Sequence, residues 1–121
     1  MPAQKVDLAA AFASFHDAWN PRIVAELNGQ HVKVAKFEGA FDWHHHDAED
    51  ELFWVVRGSV RILLEDGEVH LEAGQLFVVP RGVRHKPVAD GVAEVVLFEP
   101  ASTLNTGNLR NERTRDELER L

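Results

Sequence analysis

Gly39-Ala40-Phe41-Asp42-Trp43-His44-His45-His46-Asp47-Ala48-Glu49-Asp50-Glu51-Leu52-Phe53-Trp54-Val55-Val56-Arg57-Gly58 is the stretch on which the fold turns. A run carrying three histidines gives way to a short acidic turn, and an apolar run starts at Glu51. If Phe41 to His46 is a strand, successive side chains leave on opposite faces, so His44 and His46 share one face and His45 takes the other. Two imidazoles at that spacing can share a cation, and the same spacing also suits an exposed pair on a solvated polar strand. Asp47, Glu49 and Asp50 read as a solvated turn. Glu51 opens the strand Leu52 to Val56, which returns alongside the histidines and brings a carboxylate within reach of the same ion.

A second stretch runs Gly74-Gln75-Leu76-Phe77-Val78-Val79-Pro80-Arg81-Gly82-Val83-Arg84-His85. It reads as a strand, a Pro-x-Gly turn and a second strand bearing one histidine. A lone strand histidine is more often a hydrogen-bonded core residue than a ligand, so His85 gains weight only from its company.

Outward from these stretches the pattern is all-β. Short apolar or alternating runs cover Ile23 to Leu27, Val32 to Phe37, Phe41 to His46, Leu52 to Val56, Val60 to Leu64, Val69 to Leu71, Leu76 to Val79, Val83 to Val88 and Ala93 to Phe98, an upper count of nine strands. Asn28-Gly29 and Asp66-Gly67 are dipeptides that close hairpins, and Gly39, Gly58, Gly74, Gly82 and Gly91 punctuate the rest. Pro80 ends a strand, and Pro87 belongs at an edge or a strand end, since neither donates to a ladder. Closing the sheet into a barrel hides the edges of so many short strands.

The flanks differ. Leu8, Ala11, Phe12 and Phe15 fall on one helical face of Asp7 to Phe15, which predicts a short N-terminal helix. Thr114-Arg115-Asp116-Glu117 has capping-box spacing ahead of Leu118 and Leu121, which predicts a short C-terminal helix. Ser102 to Asn108 between them is a loop by composition.

The chain has 121 residues, the size of one domain spanning 1–121, with a barrel core at about 23–99 and a loop and short helix at 100–121. Twenty acidic residues against 13 Lys and Arg leave a formal charge of −7, the wrong sign for tracking a phosphate backbone, so nucleic acid is not an expected partner. The Leu8 to Phe15 stretch is too short for a signal-peptide core or a membrane span. Cysteine is absent, which removes disulfides, thiolate ligands and a Cys nucleophile and fits a reducing compartment; the expected location is cytoplasmic. Tyrosine is absent too, so no phenolic acid or tyrosyl radical takes part in any chemistry here.

Taken together, the two stretches resemble the cupin superfamily. Gly39, His44, His46, Glu51 and Gly58 match the first family motif, with Gly39 one residue closer to the first histidine than in the commonest form. Gly74, Pro80, Gly82 and His85 match the second, and Ala89 stands where that motif carries Asn. The resemblance implies a jelly-roll-type β-barrel of about six to eight strands. It also implies one divalent transition metal, Fe, Mn, Zn or Ni, held by His44, His46, Glu51 and His85. Such a mixed nitrogen and oxygen set leaves one or two positions open for a substrate oxygen or dioxygen.

The expected function is a metal-binding cupin that acts on or binds a small organic molecule, as a dioxygenase or as an isomerase or lyase. The alternative is a noncatalytic metal-containing module that binds or senses a small ligand. The same resemblance suggests a homodimer and carries the family label "mannose-6-phosphate isomerase-like", although no cluster of Lys and Arg with phosphate-binding geometry is evident. No catalytic residue is assignable beyond the four ligands. His45 reads as structural or exposed, and His16, His31 and His70 lie outside the motifs. Phe53, Trp54, Phe77 and Phe98 read as barrel packing, with Phe53 and Trp43 able to line a cavity. Arg57, Arg84 and Lys86 either orient an anionic substrate or sit on a solvated face. Asn105 and Thr106 belong to a loop able to cover the barrel mouth.

Overall fold

The computed structural model describes residues 3–121, so the first two residues of the expected domain lie outside it. Its order is α1 (Leu8–Ala13), β1 (Arg22–Leu27), β2 (Gln30–Ala40), β3 (Glu51–Arg57), β4 (Ser59–Leu64), β5 (Gly67–Glu72), β6 (Leu76–Val79) and β7 (His85–Pro100). All seven strands join one antiparallel sheet, matching the expected all-β class and the six to eight strands that the resemblance implies.

The strand β7 is the hub. Its first residues pair with β4, from His85 opposite Leu64 to Val88 opposite Arg61. Its later residues pair with β3, from Glu94 opposite Arg57 to Phe98 opposite Leu52. On its other side β2 accompanies nearly its whole length, from Ala40 opposite Val88 to Gln30 opposite Pro100. The sheet therefore wraps around β7, and the space inside is the core. Alternation decides what enters it: Phe53 and Val55 on β3, Ala35 and Phe37 on β2, and Ala93, Val95 and Leu97 on β7 are all buried there.

Two expected strands differ. Val83 to Val88 and Ala93 to Phe98 form one strand rather than two, because β2 holds the ladder across Gly91; a register shift between Phe37 and Gly39 absorbs Asp90, Gly91 and Val92 as a bulge. Phe41 to His46 is not a strand. Beyond Ala40 it is a connection tied to β7 by Phe41 N–H to the Pro87 carbonyl (2.9 Å) and by a reciprocal pair between His44 and His85 (3.0 and 2.9 Å). Nine expected strands thus become seven.

Asn28-Gly29 forms the β1–β2 turn with both residues at positive φ, 52° and 76°. In the β4–β5 hairpin Leu64 pairs with Gly67, so the two loop residues are Glu65 and Asp66, one place earlier than expected. Pro80 follows β6 directly, and Pro87 sits third in β7, opposite Ile62.

Asp7 caps α1 by accepting the Ala10 N–H (3.1 Å), and Ser14 closes it through its hydroxyl on the Ala11 carbonyl (2.7 Å). Phe12 and Phe15 pack with Val34 and Val96, so the predicted helical face covers the outer side of β2 and β7. The C-terminal helix does not form. The Thr114 hydroxyl takes the Asn111 N–H (3.0 Å) and pairs with Thr106 (2.7 Å), so it is not free to cap. The last residues instead bond to β1, with Ile23 N–H on the Glu119 carbonyl and Leu121 N–H on the Ile23 carbonyl. A segment this short gains more from an existing strand edge than from nucleating its own turn. On the other side of the sheet Trp54, Leu76 and Val78 leave an apolar outer face on β3 and β6.

Candidate metal centre

Three parts of the chain converge at one end of the core. Glu51 is the first residue of β3, facing inward in the same row as Phe53 and Val55. His85 is the first of β7, and its backbone bonds with His44 hold the connection segment beside it. The Pro80-Arg81-Gly82 turn supports His46, because Gly82 N–H donates to its carbonyl (2.7 Å).

The structure brings His44, His46, Glu51 and His85 together, and all four are buried. One donor atom from each lies within 4.8 Å of the others. Two ligands on opposite sides of an ion, each at about 2.1 Å, stand roughly 4.2 Å apart, so the cluster is a slightly open cage of the right size. Glu51 Oε1 is 3.3 Å from the Nε2 atoms of both His46 and His85, yet these three atoms have no hydrogen-bond partner. His44 and His85 donate through Nδ1 to the carbonyls of Asp42 and Val83, both at 2.9 Å, which leaves their Nε2 lone pairs free for the centre. Orphaned buried ligand atoms, three imidazoles and one carboxylate are the chemistry a divalent transition metal requires.

The titration behaviour fits. Burial, then the nearby His85, pushes His44 down to about 4. Burial alone would raise Glu51, but the approach of His46, His85 and Glu99 holds it well below the usual carboxylate range, so it is ionised.

Beside the cluster lies a narrow pocket of about 30 Å³, open at its mouth. Trp19, Phe37, Phe41, Phe53 and Leu97 wall it, and His44, Glu51, Glu99 and Asn105 supply its polar atoms. Phe53 thus lines the cavity as expected. Trp43 does not: its ring lies under the Arg84 guanidinium (4.9 Å). Arg57 and Arg84 are exposed, and neither they nor Lys86 lines the pocket. His45 is half-buried and pairs with Asp47, His31 pairs with Glu26 and His70 with Glu68, all apart from the centre. Asp50, expected to be a solvated turn residue, accepts from the Arg81 backbone (2.8 Å) and pairs with its guanidinium, tying the acidic turn to the Pro80 turn.

Residue-by-residue reading missed two features. The first is Glu99, fully buried in the inward row of Ala93, Val95 and Leu97, with Oε1 on the Lys33 ammonium at 2.7 Å. Burial and the adjacent Glu51 carboxylate push Glu99 well above the usual carboxylate range, against the pull of Lys33. Alternation carried one residue past Phe98 would have found it. The second is the part that Gly107 and Asn108 play in the loop at 105–108. Asn105 lines the pocket, Thr106 is fully buried, and Asn108 clamps the His45 backbone through its N–H (3.0 Å) and Oδ1 (2.9 Å). Gly107 passes so close to His44 and His45 that a Cβ would stand 2.3 Å from the His45 carbonyl oxygen. The segment is a loop, as its composition suggested, and it packs against the histidine segment.

A family model described as "Cupin domain" matches residues 30–99, a stretch that includes all four clustered residues. A cupin-2 domain containing protein from Shewanella frigidimarina NCIMB 400 has a TM-score of 0.77 at 38% identity, over 78% of this chain and 93% of that one. Uncharacterized protein YdbB of Bacillus subtilis (strain 168) is 39% identical over 64 residues, 52% of this chain and 57% of that protein. An acireductone dioxygenase of Sulfurihydrogenibium sp. (strain YO3AOP1) is 45% identical over 49 residues, 37% of this chain and 27% of that protein. This chain therefore matches little more than half of the first curated relative and about a quarter of the second. The family model spans more than half of this chain, and the chain belongs to the cupin superfamily.

Proposed function

We propose that His44, His46, Glu51 and His85 hold one divalent transition metal and that the aromatic pocket presents a small organic substrate to it, for oxygenation in the first instance and for isomerisation or elimination otherwise. The observation that carries this reading is the convergence of partnerless Nε2 and Oε1 atoms in a buried cluster that opens onto a pocket. When bound, the metal would supply Lewis acidity and open positions for substrate or dioxygen. The protein's part is to hold the imidazoles in one tautomer through the Asp42 and Val83 carbonyls and to keep bulk water out with Phe41 and Phe53. Ring contacts fix that packing, with Phe41 to His44 at 5.4 Å and Phe53 to His85 at 6.0 Å. The short likeness to an acireductone dioxygenase favours oxygen chemistry over the redox-neutral reactions.

The test is elemental analysis of protein purified without added metal or chelator, followed by turnover assays under air and under argon. About one equivalent of metal is expected, and less than about a tenth, unchanged after reconstitution, would overturn the reading. His85→Ala and Glu51→Gln should each lower metal affinity by roughly tenfold or more, while His45→Ala, at a side chain facing away, should not.

A further inference from the structure

The inward row of β2 continues past the hydrophobic core. Ala35 and Phe37 lie in that core, and alternation puts Lys33 and His31 on the same side of the strand. Behind the Lys33–Glu99 ion pair these two residues border a second cavity, of about 400 Å³, which is the size of a small-molecule site. The sheet contributes Ile23, His31 and Lys33, and residues within 101–104 and 115–120 supply the rest of the lining. No lining residue is shared with the pocket beside the metal centre: Lys33 borders one space, Glu99 the other, and their bond is the partition.

The protein leaves the polar groups on this cavity incompletely bonded. Thr103 is buried, and its hydroxyl has no hydrogen-bond partner among the described residues. His31 Nε2 donates to Glu26 Oε1 (2.9 Å), which leaves Nδ1 of the neutral ring as a buried acceptor, also without a partner among them. The buried Lys33 ammonium has three hydrogens and one acceptor, Glu99 Oε1 at 2.7 Å. Among the described residues the Arg115 guanidinium bonds only to main-chain carbonyls, those of Glu112 (3.0 Å) and Thr114 (3.2 Å). The other charges here are engaged or solvated: Arg120 pairs with Glu26 (2.7 Å), Asp116 pairs with Arg110 (2.8 Å), and Glu117 is exposed. Water would satisfy the hydroxyl and the imidazole but would leave the Arg115 charge unanswered. An anion that also carries a hydroxyl meets all four groups.

We propose that this cavity is a second binding site, for a small hydroxycarboxylate. The carboxylate oxygens accept from Arg115, from Thr103 and from the remaining hydrogens of Lys33, and the hydroxyl donates to His31 Nδ1. Neutral polyols lack the charge that Arg115 answers, and plain carboxylates lack the donor that His31 requires. The site uses none of the four clustered residues and needs no metal, so it stands apart from the reading above. An occupant is nonetheless one ion pair from the metal pocket, because Lys33 also holds Glu99.

The experiment titrates the full chain with glycerate, propionate and glycerol, which share a three-carbon skeleton and differ in charge and hydroxyls. Calorimetry reads affinity, and amide chemical shifts read the place. Glycerate should bind roughly tenfold tighter than either of the others and should move the amides of His31, Lys33, Ser102 and Thr103. Thr103→Val should weaken glycerate roughly fivefold while leaving the urea midpoint unchanged or raised, since the hydroxyl it removes has no protein partner. A purely structural Thr103 would lower the midpoint instead. Arg115→Gln should shrink the advantage of glycerate over glycerol. Equal binding of the three compounds by wild-type protein, no binding of glycerate, or shifts confined to His44, His46, Glu51 and His85 overturns the proposal and needs no variant to fold. Undiminished glycerate affinity in Thr103→Val overturns it as well. A protein that takes up no metal defeats the metal reading and leaves this result untouched, so the two ideas fail separately.

Discussion

Replacing Gly107 with alanine separates a glycine needed for space from one needed only for backbone conformation. Gly107 has φ at 60°, where an L side chain costs about 1–2 kcal/mol. Its Cβ would also stand 2.3 Å from the His45 carbonyl oxygen and 2.9 Å from the His44 ring. The backbone oxygen has no rotamer to escape into, so the loop must lift. Lifting breaks the two bonds between Asn108 and the His45 backbone, at 3.0 and 2.9 Å, each contributing about 1 kcal/mol net. The expected destabilisation is thus about 3–4 kcal/mol. Gly29→Ala is the control: φ is 76° and nothing lies within 4 Å of the added carbon, so only the conformational cost of about 1–2 kcal/mol applies. Urea unfolding of the two metal-free variants should differ by about 2 kcal/mol, read from midpoints at unchanged slope. Because the clash reaches the His44 ring, Gly107→Ala should also lower metal affinity about tenfold, where Gly29→Ala leaves it alone. Equal unfolding midpoints, or intact metal affinity in Gly107→Ala, would show that the loop does not clamp the histidine segment.

Acid should destabilise the metal-free protein partly through His44. The folded state keeps it neutral down to about 4, while the unfolded chain takes the proton near the ordinary 6.5. Between those values the unfolded state binds the extra proton, so this contribution is intact above 6.5 and is lost as pH falls towards 4, about 3 kcal/mol in all. Urea series of wild type and His44→Asn should diverge by that amount across the window, and parallel curves would remove His44 as the cause. Lys33→Met strands Glu99 without its cation and should cost about 3 kcal/mol, much of it recovered in Lys33→Met combined with Glu99→Gln. A single variant as stable as wild type would mean that the buried pair is not coupled.

The residues that proved legible share one property: their placement follows from local spacing. Glu51, Phe53 and Val55 face inward because strand alternation admits one other choice, and that choice would bury Leu52, Trp54 and Val56 while exposing a row that starts at the acidic turn. The facing of His44 and His46 was legible too, although its cause was not. An isolated bridge to His85, not a ladder, holds that segment extended. Lys33 was hidden for a different reason. On β2 both rows are rich in apolar residues, Ala35 and Phe37 facing the core and Val34 lying under α1, so alternation cannot say which row is inside. Trp19 and Gly107 lie in irregular segments without periodicity, and their roles exist only once distant parts of the chain meet. The Thr114 capping pattern misled because its hydroxyl is claimed by Thr106 and Asn111, contacts that no local reading contains.

Ionisable groups at the open end of the barrel also bear on which residues serve function. A core of this size gains nothing in stability from Lys33, Glu99, Glu51 and three imidazoles, since apolar residues of similar volume would be neutral or better. Four of their polar atoms, His46 Nε2, Glu51 Oε1, His85 Nε2 and Glu99 Oε2, lack hydrogen-bond partners, and each orphan costs about 1–3 kcal/mol. Elsewhere among the described residues the orphans are single atoms on separate residues, Arg22 Nε, His31 Nδ1 and Thr103 Oγ1, and Arg22 and His31 each still have a carboxylate partner through another atom. Unsatisfied polarity is concentrated where the aromatic pocket meets the four-residue cluster, and an ion on Nε2 and Oε1 would relieve it without moving a strand. The same reasoning groups Glu99 with the site rather than with the core: it is the buried carboxyl that the ion does not need, and it faces the space a ligand would fill.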